Sequence, residues 1–456
     1  MSTFMTKVWA NAIGFGIVWT GVVLFSRLRS QEVQNFFPKN DQKCAPQSDE
    51  SVKNKAVVVH ERWYYPPDIA NDLKDIDLPD RVKQEIFATA WEYTRCVIPE
   101  YTNWSRYVAF MRIIVMGIIA EFKGSLMDVA NDDNVVGYSL TEVLDTLCGG
   151  TAGQYVTAVS AEMCREYRCF LLMSSQKSRH QTNTMLFRRY SVALSKSPWQ
   201  FFRMRDTDAL ARFTIGVALV CNDLDHIWFT NDQFDIMAEI GNTMYDGISY
   251  WKHRSEGEIN STFAYVPESK RVIAYHKCRE ALWALDVAWA RQPEMKCVIN
   301  FLRYFGGPIH MIMRRYRFVE EGLTLGRPED KRVIEQTRKH VKLWNRLDEQ
   351  KKTKKQEIES LQQYRHVLSR EKILLFNGLG EMLEKADEGL CSECSYRETY
   401  GAPQAHTFGG VVLCSAHKQG WADHTESILE RMVRSFPEAA ETVRISEMRA
   451  TRSAAP

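Results

Sequence analysis

The sequence predicts an all-α protein, and three observations carry that prediction. Beyond the first hundred residues, long stretches place apolar side chains three and four positions apart, the spacing of one helix face. Proline, 14 residues in all, is sparse across those stretches, and no strand-like alternation reaches comparable length. A chain of 456 residues with 45% hydrophobic side chains can bury one large helical core and carry a smaller module besides.

Taken in order, residues 8–25 are apolar over about the minimum length that crosses a bilayer, interrupted by Asn11, Gly14, Gly16 and Gly21. Lys7 precedes this stretch, and Arg27 and Arg29 follow it. That pattern suits an N-terminal anchor (1–29) at the endoplasmic reticulum membrane with a cytosolic body. Glycines weaken insertion, so a disordered N-terminus, or one that docks on the protein core, is the alternative. Residues 30–60 are polar, contain Pro38 and Pro46, and read as a linker. Trp63-Tyr64-Tyr65-Pro66-Pro67-Asp68 then reads as a packed extended turn.

Helices are expected at 79–97, 104–129, 140–147, 154–173, 182–195, 206–230, 231–253, 268–291, 295–304, 307–321 and 328–354. They form a body over 61–371, followed by a small metal-binding module over 372–436 and a tail over 437–456. The highly charged stretch 339–370 reads as a solvated connector. With 59 basic and 57 acidic residues, the net charge of +2 and the lack of a basic stripe argue against nucleic acid as a partner. The 11 cysteines are odd in number and mostly scattered, which fits a reducing compartment better than a disulfide framework. Nothing in the sequence points to an oligomeric state.

The most specific ligand pattern is Cys391-Ser-Glu-Cys394 followed by Cys414-Ser-Ala-His417. Two residues between ligands let a knuckle or a first helical turn aim both side chains at one ion. Three thiolates and an imidazole make a closed, tetrahedral, structural zinc site. Gly401, Gly409 and Gly410 suit a hairpin between the pairs, and His406 is a less well-spaced ligand.

A second pattern lies mid-chain, where the apolar run Phe213 to Cys221 leads directly into Asn222-Asp223-Leu224-Asp225-His226. Acids at the end of an apolar helix suggest a cation, and Asn222, Asp225 and His226 share a helical face. A helix simply leaving the core for solvent is the plainer alternative. Three further elements go with this one. Met116 to Glu121 is another apolar helix ending in a carboxylate, with Asp128 beyond it and Glu92 upstream. Gly306 to Phe318 concentrates Arg314, Arg315, Tyr316 and Arg317, a candidate diphosphate clamp that ordinary surface arginines would match equally well. Arg179, with Arg188 and Arg189, is a third source of positive charge.

Acidic helix, basic residues, Asn-Asp helix and Arg-Tyr pair follow one another in an order that resembles a class I terpene synthase. In that family an all-α barrel holds a magnesium cluster and a substrate diphosphate between facing helices. Here both metal motifs are degenerate: no Asp-Asp-x-x-Asp occurs at Glu121, and His226 and Thr230 stand where Ser and Glu are expected.

A closer resemblance runs from about residue 61 to the Cys pairs. Trp63 to Leu73, Ala90 to Pro99, Phe202 to Asp206, Asn222 to Phe229 and Gly306 to Phe318 are similar to the fungal α-ionylideneethane synthases of abscisic acid biosynthesis. The resemblance implies a sesquiterpene cyclase acting on farnesyl diphosphate with magnesium. On that reading Glu121, Asn222, Asp223 and Asp225 are magnesium ligands, and Arg179, Arg315 and Tyr316 grip the diphosphate. Among aromatics such as Trp104, Tyr107, Phe110, Trp228, Tyr250 and Trp251, Tyr107 and Trp228 are the substrate-binding candidates, shielding and stabilising an allylic cation. His226 is the candidate proton carrier, with a carboxylate or the diphosphate as alternatives. Two other classes stay open: a membrane-tethered helical adaptor with a zinc module, and a terpene cyclase with a different prenyl substrate or product.

Overall fold

The computed structural model describes residues 63–149, 156–178, 184–312, 328, 353–397, 401–402 and 406–453. Its α-helices are α1 Asp80–Val97, α2 Trp104–Lys123, α3 Leu140–Cys148, α4 Val156–Ser178, α5 Met185–Leu194, α6 Pro198–Ala209, α7 Ala211–Val220, α8 Asn231–Ile248 and α9 Tyr250–Glu256. They continue with α10 Arg271–Ala288, α11 Lys296–Phe305, α12 Ile309–Ile312, α13 Lys354–Ser369, α14 Glu371–Leu374, α15 Leu379–Glu384, α16 Ser415–Glu426, α17 Ile428–Ser435 and α18 Ala440–Ser453. The all-α expectation holds: among the described residues the one sheet is a short antiparallel hairpin, Asn134–Val135 with Tyr138–Ser139. Arg62–Pro456 forms one compact unit, so the Cys/His segment is built into the same body as the helices.

Helix α2 runs through the middle of that body. Asn103 caps it by accepting the Arg106 N–H at 3.1 Å, and from Tyr107 to Ala120 every position except Arg112 is buried. A helix apolar on all sides must be packed on all sides, and α2 lies against α1, α3 and α4. Helix α8 is its counterpart. A capping box of Thr230 and Gln233 opens it, and it packs against α6, α7, α10, α11 and α17. Its buried Glu239 receives Arg431 of α17 at 2.6 Å and faces His424 of α16 at 3.2 Å, which fastens the C-terminal helices to the core.

The expected helix over 206–230 is two helices and a turn. Leu210 takes φ 54°, a left-handed conformation that costs a non-glycine residue energy, and there the chain breaks between α6 and α7. Buried Asp206 makes the break workable, because its Oδ1 accepts the N–H groups of Ala211 at 3.1 Å and Arg212 at 3.4 Å. The expected helix over 231–253 likewise breaks at Ser249, between α8 and α9. Most of 307–321 and 328–354, and all of the apolar stretch 8–25, lie outside the described residues. Among the described residues no helix is long and apolar enough to cross a membrane.

Candidate active site and metal centre

A cavity with about 60 Å³ of internal space, open to the surface, lies between α2, α6, α8 and α11. Ile113, Gly117 and Glu121 recur every fourth residue of α2, so one face of that helix forms an apolar wall ending in a carboxylate. Tyr93, Phe170, Tyr245 and Phe305 supply ring faces and edges, and Arg205 and Asp208 supply the polar side. Arg205 is 1% exposed, an extreme burial for a charged side chain.

Arg205 and Asp208 are parts of one buried cluster. Arg205 donates to Asp208 Oδ2 at 2.7 Å and to Asp246 Oδ1 at 3.1 Å, while Lys177 Nζ donates to Asp208 Oδ1 at 2.6 Å. Asp246 Oδ2 accepts both the N–H of Thr262, at 2.7 Å, and its hydroxyl, at 2.8 Å. His253 Nδ1 lies 3.4 Å from Asp246 Oδ1. Burial opposes the charge on Arg205, but Asp246 and then Asp208 and Glu258 outweigh it and hold its pKa above the usual arginine range. Burial also opposes the charge on Asp246, and Arg205, His253 and the Thr262 N–H outweigh it, so its carboxyl stays below the usual range.

The charged residues of this region share a position within their helices. Glu121 belongs to the last turn of α2, Lys177 to that of α4, Asp208 to that of α6 and Asp246 to that of α8, with Arg205 one turn earlier on α6. Ser178 ties the first two ends together, donating to the Ala120 carbonyl at 2.7 Å and accepting the Gly124 N–H at 2.8 Å. Helix C-termini carry partial negative charge, so this end of the body favours cations, and Lys177 and Arg205 meet it there.

The mid-chain motif lies elsewhere. Leu210 lines the cavity, and α7 carries the chain away from it for ten residues before the turn at 221–225. At that far end Asp223, with φ 56°, accepts from Thr102 at 3.1 Å and Asn103 at 2.9 Å. Asp225 accepts from Arg106 at 2.7 Å. Asn222 donates to the carbonyls of Glu100 and Ala218, and His226 is exposed. Arg106 and Glu121 are fifteen residues apart on one helix, which puts them roughly 22 Å apart at about 1.5 Å per residue. The shared magnesium site expected of Glu121, Asn222, Asp223 and Asp225 is therefore corrected: only Glu121 is at the cavity, and the other three brace the start of α2 against the end of α7. His226 is as far from the cavity as they are, which corrects its expected place beside the reacting carbons.

The expected aromatic lining is corrected too. Tyr107 is buried, donates its hydroxyl to the Ile98 carbonyl at 2.8 Å and stacks on Tyr101. Trp228 covers Gly216 at the surface and lines a different hollow with Glu162, Glu166 and Arg212. Arg179, Arg315 and Tyr316 lie outside the described residues. Sequence reasoning passed over Arg205, Asp208 and Asp246. Asp246 on apolar α8 satisfies the same criterion that singled out Asp223 and Asp225, an acid on an apolar helix, and was available to be found.

Cys391, Cys394, Cys414 and His417 do come together. Their ligand atoms all lie within 4.8 Å of one another, with Cys394 Sγ 3.4 Å and Cys414 Sγ 3.3 Å from His417 Nδ1. A tetrahedral zinc with ordinary bond lengths needs sulfur–nitrogen edges of about 3.6 Å, so the donor set fits such an ion with little adjustment. Ser395 and Val412 exchange backbone hydrogen bonds at 2.9 and 3.0 Å and hold the two halves in register. Among the described residues no other group of three or more His, Cys, Asp or Glu side chains is gathered closely enough to hold a metal.

A family model described as "Alpha-ionylideneethane synthase aba3" matches residues 61–438. The chain is 57% identical over 376 residues to alpha-ionylideneethane synthase aba3 of Botryotinia fuckeliana, covering 82% of this chain and 83% of that one. It is 55% identical to alpha-ionylideneethane synthase abl3 of Leptosphaeria maculans, covering 84% and 87%. With abl3 of Pyricularia oryzae the identity is 45%, covering 83% of each. Cavity, buried cation cluster and Cys/His centre all fall within the matched residues, and the chain belongs to the alpha-ionylideneethane synthase family.

Proposed function

We propose that this protein is a sesquiterpene cyclase that converts farnesyl diphosphate to α-ionylideneethane with loss of diphosphate, a carbon–oxygen lyase step in abscisic acid biosynthesis. The observation that carries the reading is a ring-lined cavity with Glu121, Arg205 and Asp208 in its wall and Lys177 paired to Asp208. The prenyl chain lies along Ile113, Gly117 and Phe170, and the diphosphate meets Lys177 and Arg205. Fixed charges placed where diphosphate departs lower the barrier to ionisation, since they need no reorganisation during the reaction. The rings of Tyr93, Tyr245 and Phe305 and the carbonyl ends of the converging helices face the allylic cation and keep water from it.

Magnesium binds by one or two carboxylates together with substrate phosphates, and Glu121 and Asp208 are hard oxygen donors at one cavity, which fits that mode. Bound there, it would neutralise charge on the departing diphosphate. Zinc is the ion proposed for the Cys/His centre, in a structural role, because three thiolates and one imidazole fill its four positions. Incubating the purified protein with farnesyl diphosphate and magnesium, then analysing the extract by gas chromatography–mass spectrometry, tests the reading. It expects a cyclic C15 triene; no hydrocarbon, or only acyclic farnesene, refutes it.

A further inference from the structure

Residues 258–261 follow α9 without regular structure and Thr262 opens a short 3-10 turn, Thr262–Ala264; all five residues 258–262 are buried, and four of them are polar: Glu258, Asn260, Ser261 and Thr262. Irregular polar backbone is normally left at the surface, so something must cover this segment. The cover is the turn between the metal-ligating pairs. Gly409 N–H donates to the Glu258 carbonyl at 2.9 Å. The approach is so close that a Cβ on Gly409 would fall 2.3 Å from Ile259 Cγ2 and 2.7 Å from the Gly257 carbonyl oxygen. A Cβ on Gly410, whose φ is 81°, would likewise fall 2.7 Å from the Tyr265 hydroxyl. On its other side the segment ends in Thr262, whose N–H and hydroxyl both fix Asp246.

We propose that the Cys391/Cys394/Cys414/His417 centre is the positioning device of the cation cluster: with its metal bound it seats Gly409 and Gly410 on 257–259, and the segment so held delivers Thr262 to Asp246. Contacts run without a gap from the ligand Cys394 through the Ser395–Val412 pair to Gly410 and Gly409, then through 258–262 to Asp246, Arg205 and the cavity. Among the described residues a single pair of backbone hydrogen bonds joins the two halves of the turn, so the four metal bonds supply most of its rigidity. Thr262 is a positioning residue here, acting through Asp246 and Arg205. The catalytic part rests on the proposed cyclase reading; the positioning part does not.

Hydrogen exchange by mass spectrometry on the full chain, followed over the peptide containing Thr262, tests the positioning without substrate. Chelation of the metal should speed exchange there by about tenfold or more while α2 and α4 keep their protection. If chelation unfolds the whole chain, Gly409→Ala decides. It keeps all four ligands and should keep one metal ion per chain, yet should show the same local loss of protection and a matching fall in kcat. Thr262→Val should lower kcat more than it raises KM, and Thr262→Ser should restore it. Metal-replete Gly409→Ala with unchanged exchange at Thr262 overturns the inference. Loss of protection in a protein that makes no hydrocarbon from farnesyl diphosphate would instead refute the cyclase reading and leave the positioning standing.

Discussion

Replacing Asp225 with alanine separates a brace from a catalytic site. Arg106 is 11% exposed and its Nη1 has three partners: the Val220 carbonyl at 2.8 Å, Asp225 at 2.7 Å and the half-exposed Asp223 at 3.3 Å. Asp225→Ala removes the shortest of these and leaves a largely buried guanidinium with its weaker carboxylate. A hydrogen bond to a charged group contributes about 1.5–3 kcal/mol, and Asp223 offsets part of the loss, so the expected destabilisation is about 2 kcal/mol. With an m-value of about 3 kcal/mol/M, the urea midpoint falls by roughly 0.7 M. Because the turn at 221–225 lies at the opposite end of α2 from the cavity, kcat measured on the folded variant should stay within about twofold of the parent. A hundredfold drop in kcat with an unmoved midpoint would return Asp225 to the reacting centre and refute the placement.

Asp208→Asn should lower kcat of the folded variant by about a hundredfold or more and lower the midpoint as well, because it leaves buried Lys177 and Arg205 without the acid they share; diphosphate release is the assay, and normal turnover would exclude the cluster from ionisation. Asp206→Asn should change the pH dependence of stability. Burial, and then Glu166, push the Asp206 carboxyl up from 3.8 to about 7, so the folded chain holds a proton that the unfolded chain has released over that interval. The associated stability is fully present below the lower value and is lost as pH rises through the upper one. The substituted amide keeps an acceptor for the Ala211 and Arg212 N–H groups without the charge, so the variant's Tm should fall less than the parent's between pH 5 and pH 8, read by circular dichroism.

Local chemistry made some features legible in the sequence. Asn103, Ser139, Ser197 and Thr230 each cap the helix that follows, and the Cys/His centre follows from two short spacings. The charged cluster beside the cavity needed information no local pattern carries, because Glu121, Lys177, Asp208 and Asp246 come from four helices. Their meeting depends on the break at Leu210, where a leucine adopts a conformation its own side chain disfavours and Asp206, four residues earlier, compensates. An acid ending an apolar helix is equally consistent with a reacting centre and with a brace. Asp225 and Asp246 look alike in sequence, and only their arginine partners, Arg106 and Arg205, distinguish them.

The hydrogen bond from Gly409 to Glu258 has a meaning in time as well as in space. The two residues are separated by about 150 positions of chain, so at a synthesis rate of about 5–20 residues per second the cover arrives roughly 8–30 s after the segment it closes over. By the time the strap over 258–262 is made, every helix that walls the cavity, α11 included, has already been synthesised. On the positioning role proposed for the strap, a chain truncated before Gly409 has the cavity walls and the Arg205–Asp246 pair but lacks the device that seats Thr262, so the proposed competence arrives late in synthesis.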